Sequence, residues 1–215
     1  WDTAHWKEFV RTIVSRYKGR ITHWTLWNEP NSKRFFKGNV HQYIRQILIP
    51  GFRAAKEADP DCRIVGPDLA HLKGADWDKW LDRVLAEGGP YLDVISHHCY
   101  KGSPQDLFKE LEGPKPFWEP RSVRSIVERN RQGHKPFWLT ETGWRSNEVG
   151  EQKQAGYLVS FLRGLQSRPW ITKAFIFELK DSPQEMGYGL LHVDGTPKHS
   201  YEAVSGWMRQ AGPDG

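Results

Sequence analysis

The sequence predicts an α/β fold of the (β/α) barrel type, a partial barrel with about five parallel strands. Three observations carry that reading. Strand-like runs alternate with helix-length periodic runs at intervals of roughly 30 to 45 residues, the rhythm of βα units. Those strand runs are almost continuously apolar, as strands covered on both faces require. Acidic, histidine or tyrosine residues stand where several runs stop, and parallel α/β folds collect their reactive groups at strand carboxyl ends.

Residues 1–18 read as a helix, with Asp2 or Thr3 as cap, an apolar face of Trp6, Phe9, Val10, Ile13, Val14 and Tyr17, and Gly19 as its stop. Residues 21–28 follow as a buried strand rich in β-branched and aromatic side chains. The strand closes on Asn28 and Glu29, and Pro30 prevents its continuation. Residues 39–58 form a second helix in which Pro50-Gly51 predicts a kink or break. Strands at 62–68 and 92–98 flank a helix at 76–87 that presents Trp77, Trp80, Leu81, Val84 and Leu85 on one face. Short helices at 104–111 and 121–132 precede a strand at 136–141, which repeats the earlier pattern by ending at Glu141 before Gly143-Trp144. A helix at 152–166, a strand at 173–179, a glycine-rich turn at 187–195 and a helix at 200–209 complete the pattern. No repeat or linker interrupts it, so 1–215 reads as a single domain. A complete barrel takes eight strands and about 250 residues. Five strands after an opening helix predict a barrel without its first βα units, with a smaller open or partly closed sheet as the alternative.

Composition narrows the function. Among 215 residues, 38% are hydrophobic and mean hydropathy is −0.70, with no apolar run of about 18 residues, so a membrane span is excluded. The net charge of +5 is too mild to imply a nucleic-acid partner. The densest basic run, Arg121, Arg124, Arg129, Arg131 and Lys135, reads as a solvated helix face. Two cysteines, Cys62 and Cys99, make no disulfide framework and lack zinc-ligand spacing. Neither an initiator methionine nor a leader-like segment opens the chain, which leaves secretion and cytoplasm both open. Eleven tryptophans are unusual, and tryptophan offers flat faces for stacking as well as core volume.

Two glutamates at strand ends, Glu29 and Glu141, suit glycoside hydrolysis, in which one carboxylic acid protonates the leaving oxygen and the other attacks the anomeric carbon or activates water. Asp68 and Glu178 share strand-end positions, and a helix cap is an equal reading for Asp68. His98 and Tyr100 have the same strand parity as Ser96, whereas His97 faces the other way as a packing residue. That parity also argues against a metal-dependent hydrolase built on His97 and His98. Phe35, Phe36, Lys33 and Lys37 sit in the loop after Glu29.

Trp27-Asn28-Glu29-Pro30-Asn31 resembles the W-N-E-P motif that ends the fourth strand of clan A glycoside hydrolases, a TIM-barrel group. Leu139-Thr140-Glu141-Thr142-Gly143-Trp144 resembles their nucleophile segment on the seventh strand, and Asp93-Val94-Ile95-Ser96-His97-His98-Cys99-Tyr100 their sixth. The tail from Gly189-Leu190-Leu191 through Asp194-Gly195-Thr196-Pro197-Lys198 to Tyr201 is similar to members near families 39 and 5. The resemblance implies a retaining double displacement with Glu29 as acid/base and Glu141 as nucleophile. It implies Asn28, His98, Tyr100 and Trp144 as substrate-binding residues, with Tyr100 hydrogen-bonded to Glu141; Asp68 joins the substrate-binding candidates on its strand-end position alone. Trp144 and Trp27 are its candidates for stacking on sugar, Trp27 being also a core candidate. It calls for no cofactor and no metal; the expected partner is a carbohydrate, with no nucleic acid or membrane, and a homo-oligomer could cover exposed sheet edges. The chain departs from the pattern in two ways: no second-strand arginine precedes these motifs, and residues 174–179 hold no tryptophan. A non-catalytic carbohydrate-binding scaffold is the competing expectation.

Overall fold

The computed structural model describes residues 2–114, 116 and 121–211; Trp1, where the first expected helix begins, lies outside the described residues. Helix α1 (Thr3–Arg16) opens on Asp2, whose carboxylate accepts from the N–H groups of Ala4 and His5, donors that a helix start leaves without intrahelical partners. Its buried stripe is narrower than expected: Val10 and Val14 are covered, while Phe9 remains 59% exposed.

Strand β1 (His23–Thr25) is three residues long and largely exposed, which corrects the longer buried strand expected over 21–28. It stands at one end of the strand order β1-β2-β3-β4-β5, and an end strand has a ladder on one side only. The helix expected over 39–58 is continuous in a modified form. Helix α2 (Val40–Gln42) starts with a reciprocal Asn39–Gln42 capping box, passes into a π-helical turn at Tyr43–Leu48 and continues as α3 (Ile49–Ala58). The N–H of Ile49 bonds to the carbonyl of Ile44, five residues back. Pro50 has no N–H to give the Gln46 carbonyl, and the wide turn ahead of it accommodates that loss without breaking the helix.

Strands β2 (Arg63–Leu69) and β3 (Val94–His98) are buried almost throughout, as sheet strands covered on both faces are. Pairing is parallel for β1–β2 (His23 opposite Arg63) and for β2–β3 (Val65 opposite Val94), with an irregularity between Pro67 and Leu69. Strand β4 (Phe137–Thr142) follows, and β5 (Ile171–Ile176) ends the order with Thr172, Lys173 and Phe175 exposed. The five parallel strands and their intervening helices are the α/β class read from the sequence.

The chain gathers into two compact units, Trp1–His98 with Leu111–Trp138, and Cys99–Glu110 with Leu139–Gly215. In the first, α1 packs on α3, and α4 (Trp77–Gly88) packs on α6 (Val123–Arg129) over a core that includes Ile64, Leu81, Leu85 and Ile95. The His23 ring on β1 lies 4.8 Å from that of Trp138 at the start of β4, so this unit's sheet bends enough for the two to meet. The basic run is only partly solvated: Arg124 pairs with Glu128, Arg129 with Asp82, and Lys135 Nζ donates to the carbonyls of Gly89 and Leu92 at 2.7 and 2.8 Å. In the second unit, α5 (Pro104–Glu112) sends Phe108 against Phe161 of α8 (Glu151–Gln166), which follows the short α7 (Ser146–Val149), and α9 (His199–Ala211) packs along α8. Cys62 and Cys99 are buried, and neither is in a disulfide. Among the described residues no helix is long and apolar enough to cross a membrane.

Candidate active site

In the first unit the chain leaves β1 and turns at Glu29, which adopts φ 44°; Asp68, near the end of β2, adopts φ 50°. Two non-glycine residues in the left-handed region at neighbouring strand ends are uncommon, and such backbone is held only by surrounding contacts. Those contacts are visible. The Glu29 N–H donates to the Asp68 carbonyl at 3.0 Å, and the Asn31 amide forms a two-way bridge to Ala70, donating to its carbonyl at 2.8 Å and accepting from its N–H at 2.9 Å. Asn31 thereby extends the β1–β2 pairing with a side chain in place of a peptide. The Asp68 N–H donates to Ser96 Oγ at 3.3 Å.

His98, 2% exposed, lies between the two acids. Its Nδ1 is 3.0 Å from Glu29 Oε1 and its Nε2 is 3.9 Å from Asp68 Oδ1. Asp68 is therefore beside the candidate acid's partner and does not cap a helix; Leu72 and Asp76 hold the next N-cap positions. His97 faces away, with Nε2 2.9 Å from His71 Nδ1 and its ring against Trp77, the packing role that strand parity indicates. Asn28 is exposed. Trp27 is half-buried, edge-on to Trp6 and Phe36, and its Nε1 donates to the Phe35 carbonyl. A cleft of about 420 Å³ runs past Trp27, Phe35, Phe36 and Lys37. Phe36 is 8% exposed and belongs to the core, so Phe35 is the aromatic of that loop which meets solvent.

In the second unit, Tyr100 Oη donates to Glu141 Oε2 at 2.8 Å, the contact the motifs imply. The Tyr100 ring meets Tyr188 at 5.3 Å and Phe177 at 6.4 Å. A cleft of about 350 Å³ opens beside them, lined by Tyr100, Lys101, Gly143, Trp144, Arg145 and Tyr188. Trp144 is corrected as a stacking platform. It is 3% exposed, its ring sits edge-on to Tyr157 and Phe161, and its buried Nε1 has no hydrogen-bond partner among the described residues. Gly143 is needed where it stands, since a Cβ there would come within 2.3 Å of the Phe177 carbonyl oxygen.

Sequence reasoning missed the supports of this half. Arg145 lies over the Tyr188 ring at 4.8 Å and pairs with Glu185. Gln154, fully buried, donates through Nε2 to the carbonyls of Trp144 and Gly187, both at 2.8 Å. Asp181 and Lys198 form a buried ion pair at 2.6 Å. The available signal was the pair of glycines on both sides of Tyr188. Glu178 stands past the end of β5 with Oε1 buried and unpartnered among the described residues; burial pushes its carboxyl pKa up, and the charges of Asp181 and Glu185 add to that.

Each unit thus holds a carboxyl near the end of a parallel strand in contact with a ring carried by β3 or by the residues just after it. Residues 1–203 match the glycosyl hydrolase catalytic core, and the chain belongs to that family; the clan A resemblance of the motifs holds. Two curated relatives are both described as beta-xylosidases. The one from Geobacillus stearothermophilus is 25% identical over 95% of this chain and 46% of its own length, and the one from Caldicellulosiruptor saccharolyticus is 27% identical over 92% and 43%. The chain thus spans about half the length of the curated relatives it matches. The crystal structure of a glucosidase from Croceicoccus marinus superposes with a TM-score of 0.72 at 22% identity, over 91% of this chain and 43% of that one, which establishes a shared fold.

Proposed function

We propose that the chain is the sugar-cleaving core of a retaining β-glycosidase, with β-xylosides as the substrate class suggested by its curated relatives. In this reading Glu141 attacks the anomeric carbon while Glu29 gives its proton to the departing oxygen. The bond to the leaving group breaks and an ester to Glu141 forms. Glu29, now ionised, takes a proton from water, whose oxygen displaces Glu141 and restores the starting configuration. Retention asks for carboxyls about 5 to 5.5 Å apart across the scissile bond, and the proposal assigns Glu29 and Glu141 to those places.

The observation that carries this is the difference between the two carboxyls' partners. A phenol donates to Glu141, and donation to a carboxylate favours its ionised form, as a nucleophile needs. Glu29 instead has a buried imidazole as its partner, with His98 Nδ1 at 3.0 Å, and the proposal assigns it the acid/base role. Asn28, exposed next to Glu29, is the candidate for the sugar hydroxyl beside the reacting carbon, a contact that strengthens in the transition state. Asp68 acts through His98.

Hydrolysis of a nitrophenyl β-xyloside tests the proposal. Glu141→Gln abolishes turnover, and azide restores it in Glu141→Gly. Full activity in Glu141→Gln overturns the assignment, and sugar binding without hydrolysis favours the non-catalytic scaffold.

A further inference from the structure

We infer that the buried Asp181–Lys198 ion pair is a positioning device for the nucleophile side of the site, acting on Glu141 through Tyr188 and Tyr100. The inference rests on the glycosidase reading for its kinetic consequence and on geometry for its structural one.

The links run in one direction. Lys198 is 2% exposed and Asp181 6%, and their charged atoms are 2.6 Å apart. Two buried charges at that distance hold each other in place, because separating either leaves the other uncompensated. Asp181 uses its second oxygen on the backbone: Oδ1 accepts from the N–H groups of Gly187 at 2.9 Å and Gly189 at 2.6 Å. Lys198 Nζ also donates to Ser146 Oγ at 3.1 Å and to the Gly187 carbonyl at 3.4 Å.

The segment held this way is Gly187-Tyr188-Gly189. Both glycines are required by the close approach. Gly187 has φ 103°, and a Cβ on Gly189 would lie 2.3 Å from the Asp181 backbone nitrogen. Gln154 grips the same segment from α8, donating to the Gly187 and Tyr188 carbonyls. Tyr188, fixed on both sides, has few options. Its ring rests against Tyr100 at 5.3 Å and Phe177 at 5.6 Å, with the Arg145 guanidinium over it at 4.8 Å. Tyr100 then reaches Glu141 at 2.8 Å. A nucleophile's orientation is set by the hydroxyl it accepts from, and small misplacements of reacting groups cost large factors in rate.

The role of Asp181 and Lys198 is positioning: neither is assigned a contact with substrate. Its signature is a fall in kcat with KM little changed, and loss of additivity with Tyr100. The experiment compares wild type with Lys198→Met, Tyr188→Leu, Tyr100→Phe and the double variants Lys198→Met/Tyr100→Phe and Tyr188→Leu/Tyr100→Phe, on a nitrophenyl β-xyloside below each variant's melting temperature. The single variants at 198 and 188 lower kcat by about tenfold with KM within about twofold, and neither adds a further factor once Tyr100 is phenylalanine. Tyr188→Leu leaves the ion pair intact, so the test survives if Lys198→Met does not fold.

A second readout is independent of turnover. In protein carrying 13C-labelled tyrosine, the Tyr100 ring signals, assigned with Tyr100→Phe, shift in Lys198→Met or Tyr188→Leu while those of Tyr17 stay in place. Additive kinetic losses, or an unmoved Tyr100 signal in both variants, overturn the inference. Absence of hydrolysis in wild type with a shifted Tyr100 signal overturns the glycosidase reading and leaves the positioning network standing.

Discussion

Nδ1 of His98 stands 3.0 Å from Oε1 of Glu29, with the imidazole otherwise buried and Asp68 3.9 Å from its second nitrogen. One ring on β3 therefore serves an acid just beyond β1 and another near the end of β2, both on left-handed backbone. His98→Phe removes the partner and leaves carboxyls in a desolvated place without it. The expected loss is about 1 to 3 kcal/mol of stability, measured by denaturant unfolding. Hydrolysis of alkyl glycosides, which depends on proton donation, should fall more than that of nitrophenyl glycosides, whose leaving group departs without one.

Asp181 sets a pH dependence with a definite sign. Burial pushes its carboxyl up, but the Lys198 ammonium and the N–H groups of Gly189 and Gly187 outweigh that and hold its pKa below the ordinary 3.8. A depressed folded pKa contributes stability that is complete above the unfolded value and is lost as pH falls through the folded one. Unfolding measured at about pH 5 and about pH 3 should show wild type losing more stability than Asp181→Asn. Equal losses contradict it. At neutral pH, Asp181→Ala strands the Lys198 charge and should cost about 3 to 5 kcal/mol.

Glu178 shows the opposite sign. Burial first, then Asp181 and Glu185, raise its pKa above 4.5. A raised carboxyl pKa means the folded state disfavours the charge, so the penalty is absent below 4.5, grows as pH rises through the raised value and is complete beyond it. Glu178→Gln should therefore be more stable than wild type at pH 7, and that advantage should vanish near pH 4.

Gly164 on α8 makes room for Phe108, whose ring would lie 2.3 Å from an added Cβ and already carries Arg168 at 3.9 Å. Gly164→Ala raises helix propensity by about 1 kcal/mol yet forces the ring from its stack on Phe161. Overpacking of this kind costs about 1 to 3 kcal/mol, so the variant should melt below wild type. A higher melting temperature would show that the ring moves aside freely.

The strands β2, β3 and β4, with Asp68 near the end of β2 and Glu141 near the end of β4, were legible because local composition and burial point the same way there. At β1 they diverge: an apolar, β-branched run sits at an end of the strand order, and position limits it to three paired residues. Trp144 illustrates a second limit. A tryptophan beside a strand-end acid looks the same in sequence whether it faces sugar or, as here, Tyr157 and Phe161. Pro50 announced a disturbance, while its form, a π-turn within a continuous helix, depended on packing. The Tyr100–Glu141 bond was foreseen from strand parity and motif together. The Asp181–Lys198 pair was not, because nothing local marks two distant charged residues as destined for the same buried place.

The central claim is that Glu141 becomes bonded to sugar during turnover. Incubating the 215-residue chain with a 2-deoxy-2-fluoro β-xyloside bearing a good leaving group, then mapping the product by peptide mass spectrometry, tests it directly. One fluoroxylosyl adduct is expected on the peptide containing Glu141, absent in Glu141→Gln. Hydrolysis of the ordinary β-xyloside with inversion at the anomeric carbon, or an adduct on another residue, would contradict it.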